Sequence, residues 1–294
     1  MLYLGVHHSI SDGIVDAIKD TTKIGGNAIQ VFTSPPQSMR LGKLYIESED
    51  ELEEIGKFIK KSKFPFFIHG KYMISFTRPL GRGDNIYLET FSKALNLSVT
   101  LNSSGVVNHF GSIKTASSRS NAISNTVRSI ERVLENSNKE SKIILEASSS
   151  NPDFIGGTIE EIGDIYQMIP SHLKKRVMFG LDTAHLFTKG IPLQFPGVWG
   201  NYLKKFDEVI GADKLAVIHL NDSETQFNSK KNFHAEVGSG YIFCPELGGS
   251  LESLREILKW AKKRSIPCIL EKHDNYAEQI KLCYKVLNSK KKTL

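Results

Sequence analysis

Val177-Met178-Phe179-Gly180-Leu181-Asp182 is a short apolar run that stops on a carboxylate. A parallel β-strand buried on both faces has no internal use for such a group, because an unpaired buried charge costs several kcal/mol. The carboxyl end of a parallel strand, in contrast, is where α/β barrels place their chemistry. Seven further runs have the same form: Leu2 to Val6, Ala28 to Phe32, Phe64 to His69, Gly105 to His109, Lys142 to Glu146, Leu215 to His219 and Ile266 to Glu271. Six of these eight runs end in His or a carboxylate. Their convergence on one rim predicts a metal site built from His69, His109, Glu146, Asp182, His219 and Glu271.

Segments of helical period lie between the runs. Ser48 and Glu51 form a capping box ahead of the stripe Leu52, Ile55, Phe58 and Ile59. Thr158 and Glu161 repeat it before Ile162, Ile165, Tyr166 and Ile169, and Leu251, Leu254, Ile257, Leu258 and Ala261 mark a later stripe. Further helices are expected near 12–22, 85–97, 119–136, 200–210 and 276–288. Alternating strands and helices predict parallel strands with right-handed crossovers, which close into a (β/α)₈ TIM barrel of class α/β. A doubly wound sheet would need a GxGxxG turn after the first strand, where His7-His8-Ser9 stands instead. No linker interrupts the 294 residues, so the whole chain, 1–294, is expected to form one domain.

Hydrophobic content of 40% and charged content of 24% are those of a globular protein, and no apolar stretch nears the roughly 20 residues that span a bilayer. Met1 to Gly13 carries polar His7, His8, Ser9 and Asp12 where a secretory peptide would need an apolar core, so no export is expected. Cys244, Cys268 and Cys283 are odd in number and lack CxxC spacing, which argues against a disulfide framework or thiolate zinc site. A reducing intracellular compartment, cytoplasm or nucleus, is expected. The net charge of +6 and pI near 9.0 suit an anionic partner such as nucleic acid. Lys290-Lys291-Lys292 reads as a solvated end, and His172, His273 and the Lys174-Lys175-Arg176 run read as surface.

Imidazole and carboxylate are the ligands zinc accepts without thiolates. Five of the nine histidines, His69, His109, His185, His219 and His234, fall at or just beyond strand ends with Glu146, Asp182 and Glu271. One such histidine is accounted for by a bond to a backbone carbonyl; eight groups at equivalent positions are not. The inventory exceeds one ion and suits two or three ions about 3.5–4 Å apart, an arrangement used for in-line attack on phosphodiesters. His7 reads as a core or supporting residue.

Leu181-Asp182-Thr183-Ala184-His185, His219-Leu220-Asn221-Asp222, Ile269-Leu270-Glu271, His69-Gly70-Lys71-Tyr72, His109-Phe110-Gly111-Ser112 and Leu145-Glu146 together resemble the endonuclease IV family of abasic-site nucleases. The similarity runs in order from Leu4-Gly5-Val6-His7 to Glu271. It implies a barrel with three zinc ions that cleaves double-stranded DNA 5′ to an abasic site, leaves a 3′-hydroxyl and trims blocked 3′ ends. It further implies that His69 and His109 bind one zinc and that Glu146 bridges to a second, completed by Asp182, His219 and Glu271. His185 and His234 bind the third beside position 232. Glu146 and Glu271 are the implied catalytic residues, and a monomer is expected because DNA must reach one open barrel face.

Two departures qualify the resemblance. The family's Asp-x-His is Asn232-Phe233-His234 here, so Asn232 offers a neutral oxygen and the third zinc should be held more weakly. Where the family presents an Arg to the DNA stack, this chain reads Ser34-Pro35-Pro36-Gln37-Ser38-Met39-Arg40; Gln37 and Arg40 are the DNA-contact candidates there. Tyr72, with Lys71 and Met73, is the expected wedge beside the lesion. Gly238-Ser239-Gly240 offers backbone amides to a phosphate or is an ordinary turn. Two other readings stay open. A single-metal sugar isomerase or epimerase would use Glu146, Asp182, His219 and Glu271, leaving His69, His109, His185 and His234 unexplained. A noncatalytic DNA-binding protein with an eroded metal site rests on Asn232 and Gln37.

Overall fold

In the computed structural model, which describes residues 1–37, 48–81, 85–147 and 151–289, eight parallel strands close into a barrel. In chain order they are β1 (Leu4–His8), β2 (Ile29–Val31), β3 (Phe66–His69), β4 (Val106–His109), β5 (Ile143–Glu146), β6 (Val177–Asp182) and β7 (Leu215–His219); a two-stranded antiparallel sheet, β8 (Asp222–Ser223) with β9 (His234–Ala235), intervenes before β10 (Cys268–Leu270). Around them lie α1 (Ile14–Lys23), α2 (Glu49–Ser62), α3 (Asn85–Thr100), α4 (Arg119–Glu135), α5 (Ile159–Met168), α6 (Thr183–Lys189), α7 (Val198–Val209), α8 (Leu251–Arg264) and α9 (Tyr276–Asn288). Arg40, Ser148 to Ser150 and Lys290 to Lys292 lie outside the described residues. Among the described residues no helix is long and apolar enough to cross a membrane, and all three cysteines are free.

Strand period two explains the barrel's two layers. Ala28, Phe67, Val107, Ile144, Val217 and Ile269 form one buried cluster along the axis. Their neighbours Ile29, Phe66, Ile68, Val106, Ile143, Leu145, Ile218 and Leu270 pack outward with the helices. Gly5 completes the inner layer because a Cβ there would lie 1.7 Å from the Ala28 carbonyl oxygen, and Gly180 leaves room for Val217. Two residues beyond each inner position stand His7, Gln30, His69, His109, Glu146, Asp182, His219 and Glu271. The polar mouth is thus the next layer of the same alternation.

Several local features differ from the sequence reading. The first strand ends two residues later than expected, which draws His7 into the barrel, where it is buried. Directly after Asp182 stands the helix α6, absent from the expected helices and capped by Asp182 Oδ1, which accepts from the His185 amide at 2.9 Å. Thr158 caps α5 as expected, but Glu161 accepts from the Gly156 amide (2.7 Å) and pairs with Arg119 (2.7 Å) instead of turning back. Arg176 is the main correction. Rather than a solvated cation it is buried, donating to Ser141 O (2.9 Å), Leu134 O (2.6 Å), Asn138 O (2.7 Å), Ser137 Oγ (2.9 Å) and Ser141 Oγ (2.7 Å).

Candidate metal centre

His69, His109, Glu146 and Glu271 of the mouth layer line one cavity of about 360 Å³ together with His185 of α6 and with Asn232 and His234 from the chain after β8, while Asp182 and His219 stand within 4 Å of these groups. Glu146 is its hub. Oε2 lies 3.6 Å from both His69 Nε2 and His109 Nδ1, while Oε1 lies 3.3 Å from His185 Nδ1 and 3.1 Å from His219 Nδ1. Asp182 Oδ2 stands 3.9 Å from His185 Nε2 and 3.5 Å from His234 Nε2. Glu271 Oε1 is 3.5 Å from His219 Nδ1, and its Oε2 is 4.0 Å from His234 Nδ1. Three donor sets result: His69, His109 and Glu146; Glu146, Asp182 and His219; and Asp182, His185 and His234. Within each set the ligand atoms lie within 4.8 Å of one another, and the sets share Glu146 and Asp182.

These residues fit divalent cations. Glu146 Oε2, His219 Nδ1 and His234 Nε2 are buried without a hydrogen-bond partner, although buried polar atoms are ordinarily satisfied. Each faces oppositely charged or lone-pair-bearing groups that a shared cation would bind. Burial opposes ionisation of Glu146, but His109 and His219 outweigh it and hold its carboxyl well below the usual range. Burial likewise acts to lower the His219 pKa, yet the Glu271 and Glu146 carboxylates push it up to about 10. His109 goes the other way, to about 4, because burial dominates over the attraction of Glu146. Backbone partners fix other rings: His69 Nδ1 donates to Gly70 O at 2.7 Å, and His185 Nδ1 to Ala147 O at 3.1 Å, leaving each Nε2 directed into the cavity.

The chain from β8 to β9 brings Asn232 and His234 to the third set, whose other members, Asp182 and His185, come from β6 and α6. Ser223 pairs with His234 across the small sheet, which seats His234 beside Asp182. Asn232 Nδ2 stands 2.8 Å from His185 Nε2, so the neutral amide occupies the place beside that set. Asp222 is spent on the loop's own backbone: buried, it accepts from the amides of Gly238 (3.0 Å), Gly240 (3.1 Å), Ile242 (2.8 Å) and Ser223 (2.9 Å). The Gly238 and Gly240 amides, considered for phosphate, therefore serve Asp222.

The rim carries the residues expected to meet DNA. Tyr72 is 58% exposed and rests edge-on against Phe32, ring centroids 5.2 Å apart, and Met73 beside it is 40% exposed. The Tyr72 amide donates to Pro36 O at 3.2 Å, which sets the exposed Gln37 next to this loop. Lys71 is buried, lining a separate cavity of about 290 Å³ with Thr33, Ser34, Thr90 and Lys93. A phosphate contact by Lys71 requires its ammonium to leave that position. His273, read as plain surface, is exposed but borders the metal cavity, as does Phe154.

Sequence reasoning missed Gln30, Asn221 and Phe233. Gln30 is fully buried among the ionisable groups, and its signal was a polar residue inside the apolar run Ala28 to Phe32. Asn221 Nδ2 donates to Asp182 Oδ2 (2.7 Å) and Glu271 Oε2 (3.0 Å), while its Oδ1 accepts from the Glu271 amide (3.1 Å). Phe233, between two candidate site residues, is 58% exposed at the edge of the mouth.

The chain matches the xylose isomerase-like TIM barrel family over residues 18–251. It is 30% identical over 273 residues to the putative endonuclease 4 of Acanthamoeba polyphaga mimivirus, covering 91% of this chain and 84% of that protein. To the probable endonuclease 4 of Halothermothrix orenii it is 30% identical over 240 residues, covering 81% and 84% respectively. The crystal structure of endonuclease IV from Thermus thermophilus superposes with a TM-score of 0.77 over 97% of both chains at 21% identity, a likeness of fold. With its donor sets strung along one barrel mouth and this extent of identity, the chain belongs to the endonuclease IV family within the xylose isomerase-like TIM barrels.

Proposed function

We propose that the protein is a zinc-dependent hydrolase that cuts the phosphodiester of double-stranded DNA 5′ to an abasic site, leaving a 3′-hydroxyl, and that also trims blocked 3′ ends. It would act as an intracellular monomer in base excision repair. The observation that carries this reading is the sharing of Glu146 and Asp182 among three donor sets. A single-metal isomerase needs only Glu146, Asp182, His219 and Glu271; it gives no role to His69, His109, His185 and His234 around them. The relatives' name and the +6 charge support a DNA substrate.

Bound divalent cations supply charge neutralisation to a phosphodiester and make water acidic enough to attack at neutral pH. The chain's own groups do the rest. Glu146 and Asp182 would each serve two neighbouring donor sets and so set the spacing between them. Glu271, its two oxygens steadied by Gln30 and Asn221, orients the attacking water and takes up its proton at a carboxylate oxygen as the water oxygen bonds to phosphorus; the bond from phosphorus to the 3′-oxygen breaks, and that oxygen takes a proton from solvent to become the 3′-hydroxyl. Tyr72, Met73 and Phe233 provide exposed apolar surface for a duplex that has lost stacking at the lesion, with Gln37 beside them and Arg40 three residues further along the chain. The decisive assay is a labelled duplex bearing one tetrahydrofuran abasic analogue. Nicking on its 5′ side is expected; binding without nicking would favour the noncatalytic reading, and indifference to the duplex the isomerase.

The third donor set makes its own prediction. Asn232→Asp restores a carboxylate next to His185, and the ion held by His185, Asn232 and His234 should then survive mild chelation about 10-fold longer. Zinc per chain measured by elemental analysis after timed chelation checks this. Three equally resistant ions in the unaltered protein would contradict a weak third site.

A further inference from the structure

We propose that Gln30 is a positioning residue that selects Nδ1 of His219 as the metal-binding nitrogen and aims Glu271. Gln30 is the one mouth-layer residue that cannot ionise, and it is fully buried. Its side chain touches three neighbours from distant parts of the chain: Oε1 is 2.9 Å from His219 Nε2, and Nε2 is 3.0 Å from His7 Nδ1 and 2.9 Å from Glu271 Oε1.

The chemistry of an amide leaves only one orientation. An amide oxygen only accepts and an amide nitrogen only donates. Reversing the amide would set its oxygen against the Glu271 carboxylate oxygen at 2.9 Å, acceptor against acceptor. In the orientation that satisfies both ends, His219 Nε2–H donates to Gln30 Oε1, so Nε2 is committed and only Nδ1 faces Glu146 and Glu271. The two amide hydrogens go to Glu271 Oε1 and to His7 Nδ1, which therefore accepts and leaves the His7 proton on Nε2.

The consequence is an asymmetry among the rings. His69 and His185 give up Nδ1 to backbone carbonyls and present Nε2, whereas His219 gives up Nε2 and presents Nδ1. Backbone carbonyls fix the first two, but for His219 a side chain 189 residues away does so. A second consequence concerns Glu271, whose two oxygens are divided between Gln30 and Asn221. Without Gln30 the carboxylate is held by Asn221 alone, through Oε2, and Oε1 loses its donor.

The test is made on the zinc-loaded full chain with imidazole nitrogen NMR and zinc transfer to a chromophoric chelator, neither of which depends on DNA cleavage. In the unaltered protein, His219 is expected to carry its proton on Nε2 and His69 and His185 on Nδ1; the same pattern in all three rings overturns the proposal. Gln30→Met removes both halves of the contact at similar volume and should speed zinc transfer about 10- to 100-fold, the usual cost of losing an orienting partner. An unchanged rate overturns it. Gln30→Glu keeps the acceptor for His219 but sets a carboxylate against Glu271. It should retain the His219 pattern while still releasing zinc faster, and loss of that pattern would contradict the assigned bond even if Gln30→Met does not fold.

Discussion

Glu146→Gln is expected to lower incision of the abasic duplex by about 10²- to 10³-fold or more, the range seen when one preorganised charge-stabilising group is removed from a catalytic centre. The change keeps the side chain's volume and removes its charge. Both oxygens of Glu146 sit within 3.6 Å of imidazole nitrogens from four different elements, so this single anion serves two of the three donor sets. Zinc per chain should fall together with the rate, while circular dichroism stays that of the unaltered protein. Activity within tenfold of the original at full metal content would remove Glu146 from the mechanism. Glu271→Gln should act in the same direction, with a smaller loss of metal, because Glu271 is assigned to orient water and belongs to none of the three tight donor sets.

Arg176→Met should instead cost stability without touching chemistry. The guanidinium is the donor for the carbonyls of Leu134, Asn138 and Ser141, at the end of α4 and in the turn that leads into β5. Removing it takes the guanidinium donor from the buried Ser141 carbonyl and leaves the buried Leu134 carbonyl with only Ser137 Oγ at 3.3 Å, at about 1–3 kcal/mol each, so a total loss of about 3 kcal/mol is expected. For a chain of this size that corresponds to a fall in Tm of roughly 5 °C, measured by thermal unfolding. Arg176 precedes β6, whereas Asp182 ends it, and the six residue steps from one to the other span about 20 Å. Incision per folded molecule should therefore be unchanged. A Tm within about 2 °C of the original would show that water replaces the guanidinium at no cost. Arg176→Lys should recover only part of the loss, because one ammonium cannot reproduce the planar fork that serves five acceptors.

What could be read directly from the chain is what short-range rules govern. Short continuous apolar runs identified the strands, and the His or carboxylate that ends six of them identified His69, His109, Glu146, Asp182, His219 and Glu271 as one rim. Helix caps at Ser48 and Thr158 are likewise contained within four residues. Those features need no knowledge of which strand lies beside which. Barrel closure then brings these groups to one mouth, where the donor sets assemble.

Tertiary structure alone decided how the layer is wired. Gln30 reaches Glu271 across 241 residues of sequence because closure pairs β1 with both β2 and β10. A glutamine in an apolar strand announces that it must be satisfied, but not by which partner. The same holds for Arg176, whose basic neighbours Lys174 and Lys175 read as a solvated run although carbonyls of α4 and its following turn surround the guanidinium. It holds for Asp222 too, adjacent in sequence to the site yet turned toward its own loop's amides. Polar partners are chosen by three-dimensional proximity and donor–acceptor geometry, which a linear pattern does not carry, whereas apolar periodicity follows from the backbone's own repeat and is written residue by residue.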